Sequence, residues 1–169
     1  MLRLCDSAIT EQTLNRRMRA FTIVEMIVVL VVVGVLAAIV VPRFNGMTDE
    51  AKASAVQGIL SGIRSSVAGF RSRQVIAGTA AYPTITQLTT LGTVLQQTIP
   101  ANPYNNFATV QTVSSTQAAS RAVLNTNTFG WNYYVDNSST PPTALFYANS
   151  SAATSIPNGT GGFKAVNEL

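Results

Sequence analysis

Glu25 is the one ionisable side chain between Phe21 and Val41, in a stretch that reads Phe-Thr-Ile-Val-Glu-Met-Ile-Val-Val-Leu-Val-Val-Val-Gly-Val-Leu-Ala-Ala-Ile-Val-Val. A carboxylate in such surroundings either sits at the level of lipid headgroups or has a positive partner, because its cost at a bilayer centre is about 2.5–3.5 kcal/mol on insertion scales. A cut just before Phe21 would create that partner, a free α-amine one helical turn from the carboxylate. Within one chain the pair would meet the exposed N–H groups and dipole of the first turn. Between chains it would be a charge pair in a low-dielectric bundle, fixing the axial offset of neighbours.

Other chemistry is scarce. The chain has no His, which removes His-based acid–base catalysis and His metal sites. Its single cysteine, Cys5, excludes a disulfide scaffold. After residue 50 only Asp136 and Glu168 are acidic, so paired catalytic carboxylates are missing, as are a phosphate-binding glycine loop and a Ser/His/Asp arrangement. A hard cation such as Ca²⁺ would find only Asp136 with Asn137 and Ser138, and it favours several charged oxygens. The expectation is therefore no enzyme and no cofactor.

The elements that must carry Glu25 follow from hydropathy. Phe21 to Val41 would rise about 32 Å as a helix, enough for a bilayer core of ~30 Å. It is apolar on every face, so it belongs in lipid or among identical helices. Arg16, Arg17 and Arg19 precede it and the next basic residue is Arg43, which places the N-terminus in the cytoplasm and exports the rest. A chain of 169 residues with 47% hydrophobic but 11% charged residues suits a membrane or polymer-forming protein better than a freely soluble one. The net charge of +4 is split between the first 20 residues and the remainder without a basic stripe, so no nucleic-acid partner is expected.

Arg19-Ala20-Phe21-Thr22-Ile23-Val24-Glu25, the apolar run with Gly34, and Ala37-Ala38-Ile39-Val40-Val41-Pro42 together resemble the class III signal of type IV pilins and type II secretion pseudopilins. The resemblance implies that a prepilin peptidase removes a leader, residues 1–20, by cutting between Ala20 and Phe21, and methylates the Phe21 amine. It implies assembly through Phe21 and Glu25, with Gly34 and Pro42 as helix-bending positions. The family normally has Gly before the cut, and Ala20 is the next smallest residue. A secretory signal peptide cut after Ala37-Ala38 fits less well, since its core would hold a Glu and no A-x-A site follows. A plain uncleaved anchor is the other membrane alternative.

Beyond Pro42, which lacks an N–H and should loosen the helix, Val56, Ile59, Leu60, Ile63, Val67 and Phe70 form one apolar stripe. The stripe predicts a helix from about residue 43 to Ala77 with Gly78 as its stop, and Arg64, Arg71 and Arg73 off the buried face. With the membrane part it would make one gently bent helix of roughly 85 Å. Arg43, Asp49, Glu50 and Lys52 form a mixed-charge cluster, either a solvated face or a contact between subunits. Thr84–Leu91 predicts a short helix, and Pro100 and Pro103 an extended, turn-rich path that resembles the loop after the long helix in type II major pseudopilins. Residues 105–128 hold Ser, Thr or Asn at 12 of 24 positions and read as exposed loops and strand edges. Gly130–Val135 and Ala144–Ala148 read as a hairpin laid on the long helix, with Trp131 and the tyrosines as core anchors or a carbohydrate-stacking patch. The tail from Ser150 reads as loose, apart from docking by Phe163 or Val166.

The expected fold is thus α+β, a long helix packed on a small antiparallel sheet in a pilin-like lollipop. Its parts are a leader (1–20), a transmembrane and assembly helix (21–42), an amphipathic half (43–78) and a loop-rich β head (79–169). The expected function is a pseudopilin of a type II secretion pseudopilus. The alternatives are a surface pilin for adhesion, motility or DNA uptake, and, remotely, a membrane-anchored periplasmic enzyme. The resemblance implies prepilin peptidase, identical and related subunits and an inner-membrane platform as partners. It also implies an inner-membrane location with a periplasmic head before assembly into a filament.

Overall fold

The computed structural model describes residues 21–169, apart from the side chains of residues 41–47. Two compact units divide between Val41 and Pro42. Helix α1 (Ile23–Ile76) begins in the first and continues in the second, followed by α2 (Ile85–Thr89), β1 (Val110–Thr112), α3 (Ser115–Ala119), β2 (Trp131–Asp136), β3 (Thr143–Ala148), β4 (Ala153–Pro157), β5 (Phe163–Ala165) and a 3₁₀ turn (Val166–Glu168).

In the second unit α1 buries Ala53, Val56, Leu60, Ile63, Val67 and Phe70, the face that the sequence period marks, with Ile59 half-covered. The helix stops at Gly78, whose φ of 86° is the left-handed conformation that glycine adopts without strain. Gly78 N–H donates to the Val75 carbonyl at 3.0 Å and Thr79 N–H to that of Gln74 at 2.9 Å, the two bonds of a Schellman cap. The predicted short helix is α2, shorter than the Thr84–Leu91 pattern because Thr84 caps it. Gln87 N–H donates to Thr84 Oγ1 at 3.3 Å, and Thr84 N–H to Gln87 Oε1 at 2.9 Å.

Strands β2 and β3 pair antiparallel from Trp131↔Ala148 to Asp136↔Thr143, as the hairpin pattern predicts. Pleating sends Trp131, Tyr133, Phe146 and Ala148 to the face that meets the α1 stripe. Tyr147 goes to the other face, where it joins Val113 and Ala118. Trp131 stacks on Phe146 with ring centroids 5.6 Å apart. Trp131 Nε1 donates to the Pro100 carbonyl at 2.9 Å, and the Tyr133 hydroxyl to that of Pro83 at 2.7 Å. With both rings at 0% exposure they are core anchors that tie down the proline-punctuated loop, and the carbohydrate-stacking alternative falls.

Two regions, residues 105–128 and the tail, depart from the sequence reading. Residues 105–128 contain β1, which pairs parallel to β2 (Val110↔Trp131), and α3, capped reciprocally by Ser114 and Gln117. Composition hid both, because Ser, Thr and Asn serve as caps and buried linkers as readily as loop surface. Arg64 lies off the buried stripe, as the period predicts, and its guanidinium donates to the Phe146 carbonyl at 3.0 Å and the Leu169 carbonyl at 3.0 Å. The tail is not loose. Strands β4 and β5 form a second small sheet, and Asn158 Oδ1 closes their turn by accepting from Thr160 N–H at 2.9 Å and Gly162 N–H at 3.1 Å. Val166 docks at 0% exposure while Phe163 stays 61% exposed.

Candidate functional site

The candidate site lies at the start of α1. Thr22 caps the helix: Glu25 N–H donates to Thr22 Oγ1 at 3.2 Å, and Met26 N–H to the Thr22 carbonyl at 3.2 Å. Sequence reasoning passed over Thr22, although Thr followed three residues later by Glu is the spacing of a capping box. The cap fixes Glu25 in the first turn, where a carboxylate opposes the positive end of the helix dipole. Phe21 precedes it at 70% exposure. Phe21 and Glu25 therefore sit on one short, ordered segment. Ala20 and the rest of the expected leader, with Cys5, lie outside the described residues.

Among the described residues of its own unit, the segment that follows has no partner. Ile23–Val40 is 18 residues long, has a mean hydropathy of 3.1 and is nowhere buried, so it is long and apolar enough to cross a membrane. Its valines and leucines, at 44% exposure or more, would carry a large hydrophobic cost in water. Gly34 lies within this stretch and a Cβ there would meet nothing within 4 Å, so packing inside the chain does not call for glycine. The helical assignment continues through both Gly34 and Pro42.

In the second unit a group of buried amide side chains holds the loops. Gln111 Nε2 donates to Asn132 Oδ1 at 2.7 Å, and Asn132 Nδ2 to Asn149 Oδ1 at 3.1 Å. Asn149 Nδ2 donates to the Phe129 carbonyl at 2.8 Å, and its Oδ1 accepts from Leu124 N–H at 2.9 Å. Nearby, Asn102 Nδ2 donates to the Gly130 carbonyl at 2.9 Å. Gly130 has to be glycine, since a Cβ there would lie 1.7 Å from the Phe107 carbonyl oxygen. These amides were missed as a group, because single Asn and Gln residues scattered from Asn102 to Asn149 carry no pattern.

Asp136 Oδ1 accepts from Ser138 N–H at 2.9 Å, Ser138 Oγ at 2.6 Å and Ser139 N–H at 3.2 Å. The Ser138 hydroxyl, then the backbone donors, hold its carboxyl below the usual range. Asn137 grips the backbone of Tyr82 from both sides, accepting at 2.8 Å and donating at 2.9 Å. Of the oxygens considered for Ca²⁺, Asp136 Oδ1 and Asn137 Oδ1 thus accept bonds from neighbouring donors, and Asp136 supplies the one carboxylate where a hard cation favours several. Burial and the neighbouring Arg121 lower the Arg64 pKa from its ordinary value. Lys52 points its ammonium at the Tyr104 ring, 6.0 Å from the centroid.

Residues 15–41 match the family described as "Prokaryotic N-terminal methylation motif". Over 52 residues the chain is 40% identical to the type IV narrow pilus major component PilA5 of Thermus thermophilus, a match covering 31% of this chain and 45% of that protein. Over 53 residues it is 36% identical to the type II secretion system core protein G of Pseudomonas aeruginosa, covering 31% of this chain and 37% of that protein. The chain therefore spans less than half the length of either relative. No solved structure matches. The chain thus carries an N-terminal methylation motif and is similar, over 52 and 53 residues, to a type IV pilus component and a type II secretion core protein.

Proposed function

We propose that this chain is a structural subunit of a type II secretion pseudopilus, built as a type IV pilus-like filament. The observation that carries the reading is the uncovered apolar helix Ile23–Val40 with Glu25 in its capped first turn, directly after Phe21. Such a surface is stable only in lipid or against other apolar helices. The precursor inserts with its basic leader in the cytoplasm, and prepilin peptidase cuts between Ala20 and Phe21 and methylates the new amine. Glu25 then pairs with the Phe21 amine of a neighbour as the stems bundle, and Gly34 and Pro42 give the stem its soft points. An inner-membrane platform and related subunits receive it, and a separate ATPase supplies the work.

The likeness to core protein G, and a sequence whose one cysteine lies in the expected leader, support the pseudopilus. The likeness to PilA5 supports a second reading, a surface pilus. Replacing Glu25 with Ala tests the pairing. The variant is expected to insert in the membrane normally and fail to co-assemble with wild-type subunits in pull-downs of sheared filaments. Incorporation at the wild-type level would sink the idea.

A further inference from the structure

We propose that Asn158 is a modification site: the Asn158-Gly159 turn deamidates in the folded chain, and the carboxylate it forms takes over the donors that hold the amide. The reaction needs no second copy, so it stands apart from the filament reading. Asn158 and Gly159 are both exposed, in the turn between β4 and β5. Asn158 Oδ1 accepts from Thr160 N–H at 2.9 Å, Thr160 Oγ1 at 2.9 Å and Gly162 N–H at 3.1 Å. Asn158 N–H in turn donates to the Gly162 carbonyl at 2.9 Å. Two groups are left over. Among the described residues, neither Gly159 N–H nor Asn158 Nδ2 donates to an acceptor.

Those are the groups that succinimide formation uses. The Gly159 nitrogen gives up its proton to hydroxide and bonds to Asn158 Cγ, and the C=O electron pair moves onto Oδ1. Three donors already converge on that oxygen, as in an oxyanion hole. When the pair returns, the bond from Cγ to Nδ2 breaks, and the nitrogen takes a proton from water and leaves as ammonia. Water then opens the ring at either carbonyl, giving aspartate or isoaspartate; water is the only co-reactant. Gly159 carries no Cβ beside the attacking nitrogen, and its φ of 82° is one that glycine holds without strain.

The aspartate product has a precedent in this fold. Asp136 Oδ1 likewise accepts the N–H and the hydroxyl of the residue two positions on, together with a further backbone N–H. Asn158 repeats that spacing with Thr160, and bonds to an ionised acceptor are the stronger kind. The chain's other Asn-Gly pair, Asn45-Gly46, lies inside α1, where helical bonding engages the glycine N–H. It holds the same dipeptide out of reaction.

The test incubates the full chain, extracted from membranes in detergent, in mildly alkaline buffer. Tryptic peptides are sequenced by mass spectrometry, and isoaspartate is labelled with protein isoaspartate methyltransferase. Progressive conversion at Asn158, faster as pH rises, is expected, with Asn45 unchanged. An intact Asn158, or equal conversion at Asn45, overturns the proposal. Thr160→Val removes the hydroxyl donor at similar shape and is expected to slow conversion several-fold; an unchanged or faster rate overturns the role of the donors. Asn158→Asp is expected to melt at or above the wild-type Tm at neutral pH. A lower Tm would mean that the turn does not accept the product.

Discussion

Asp136 shows how much one exposed carboxylate can do when its turn supplies donors. Three donors from Ser138 and Ser139 converge on one oxygen, and the folded pKa lies below the ordinary value as a result. A depressed carboxyl pKa contributes stability that is complete above the unfolded pKa, near 4, and is lost as pH falls through the folded one. Asp136→Asn cannot titrate. The difference in Tm between wild type and this variant is therefore expected to be present at pH 7 and to vanish in acid; a difference independent of pH would contradict the assignment. The buried amides of Gln111, Asn132 and Asn149 act by the same logic without charge, each leaving its neighbour unsatisfied if removed. The amide arrangement was not legible beforehand, because a hydrogen-bond partner 17 or 21 residues away leaves no local signal.

At the scale of elements, the α1 stripe was fully legible, because a period of 3.6 is local information and the buried face is wide. Leu60 lies at its middle, 1% exposed, in one cluster with Trp131 and Phe146. Leu60→Ala should cost about 2–5 kcal/mol through lost burial and a cavity. Urea unfolding followed by Trp131 fluorescence measures this cleanly, since Trp131 is the only tryptophan. A loss under about 1 kcal/mol would mean that the stripe does not face the sheet. The β2–β3 hairpin was legible for a similar reason, through alternation and the turn residues between its strands. Strand β1 was not: it pairs in parallel across 21 residues, and three residues are too few for alternation to register. The β4–β5 hairpin was masked by small polar residues, although Asn158-Gly159 is itself a turn signal.

Taken whole, the chain joins two surfaces with opposite requirements. Among the described residues, every buried hydrophobic side chain lies in the second unit, from Ala53 onward. The first unit buries nothing between Ile23 and Val40 and has to be completed by lipid or by other chains. That asymmetry was the clearest message of the sequence, because a run of uncharged residues interrupted by one Glu needs no tertiary context to interpret. Its consequence is chemical as well as structural. If the apolar helix is a stem for assembly, its amine must be made by removing residues 1–20. The most direct measurement is the intact mass and N-terminal sequence of the membrane-fraction protein, produced with and without its native prepilin peptidase. The account predicts a chain starting at N-methylated Phe21 only when the peptidase is present. A chain that retains Met1 in both samples would contradict it and leave a simple membrane anchor.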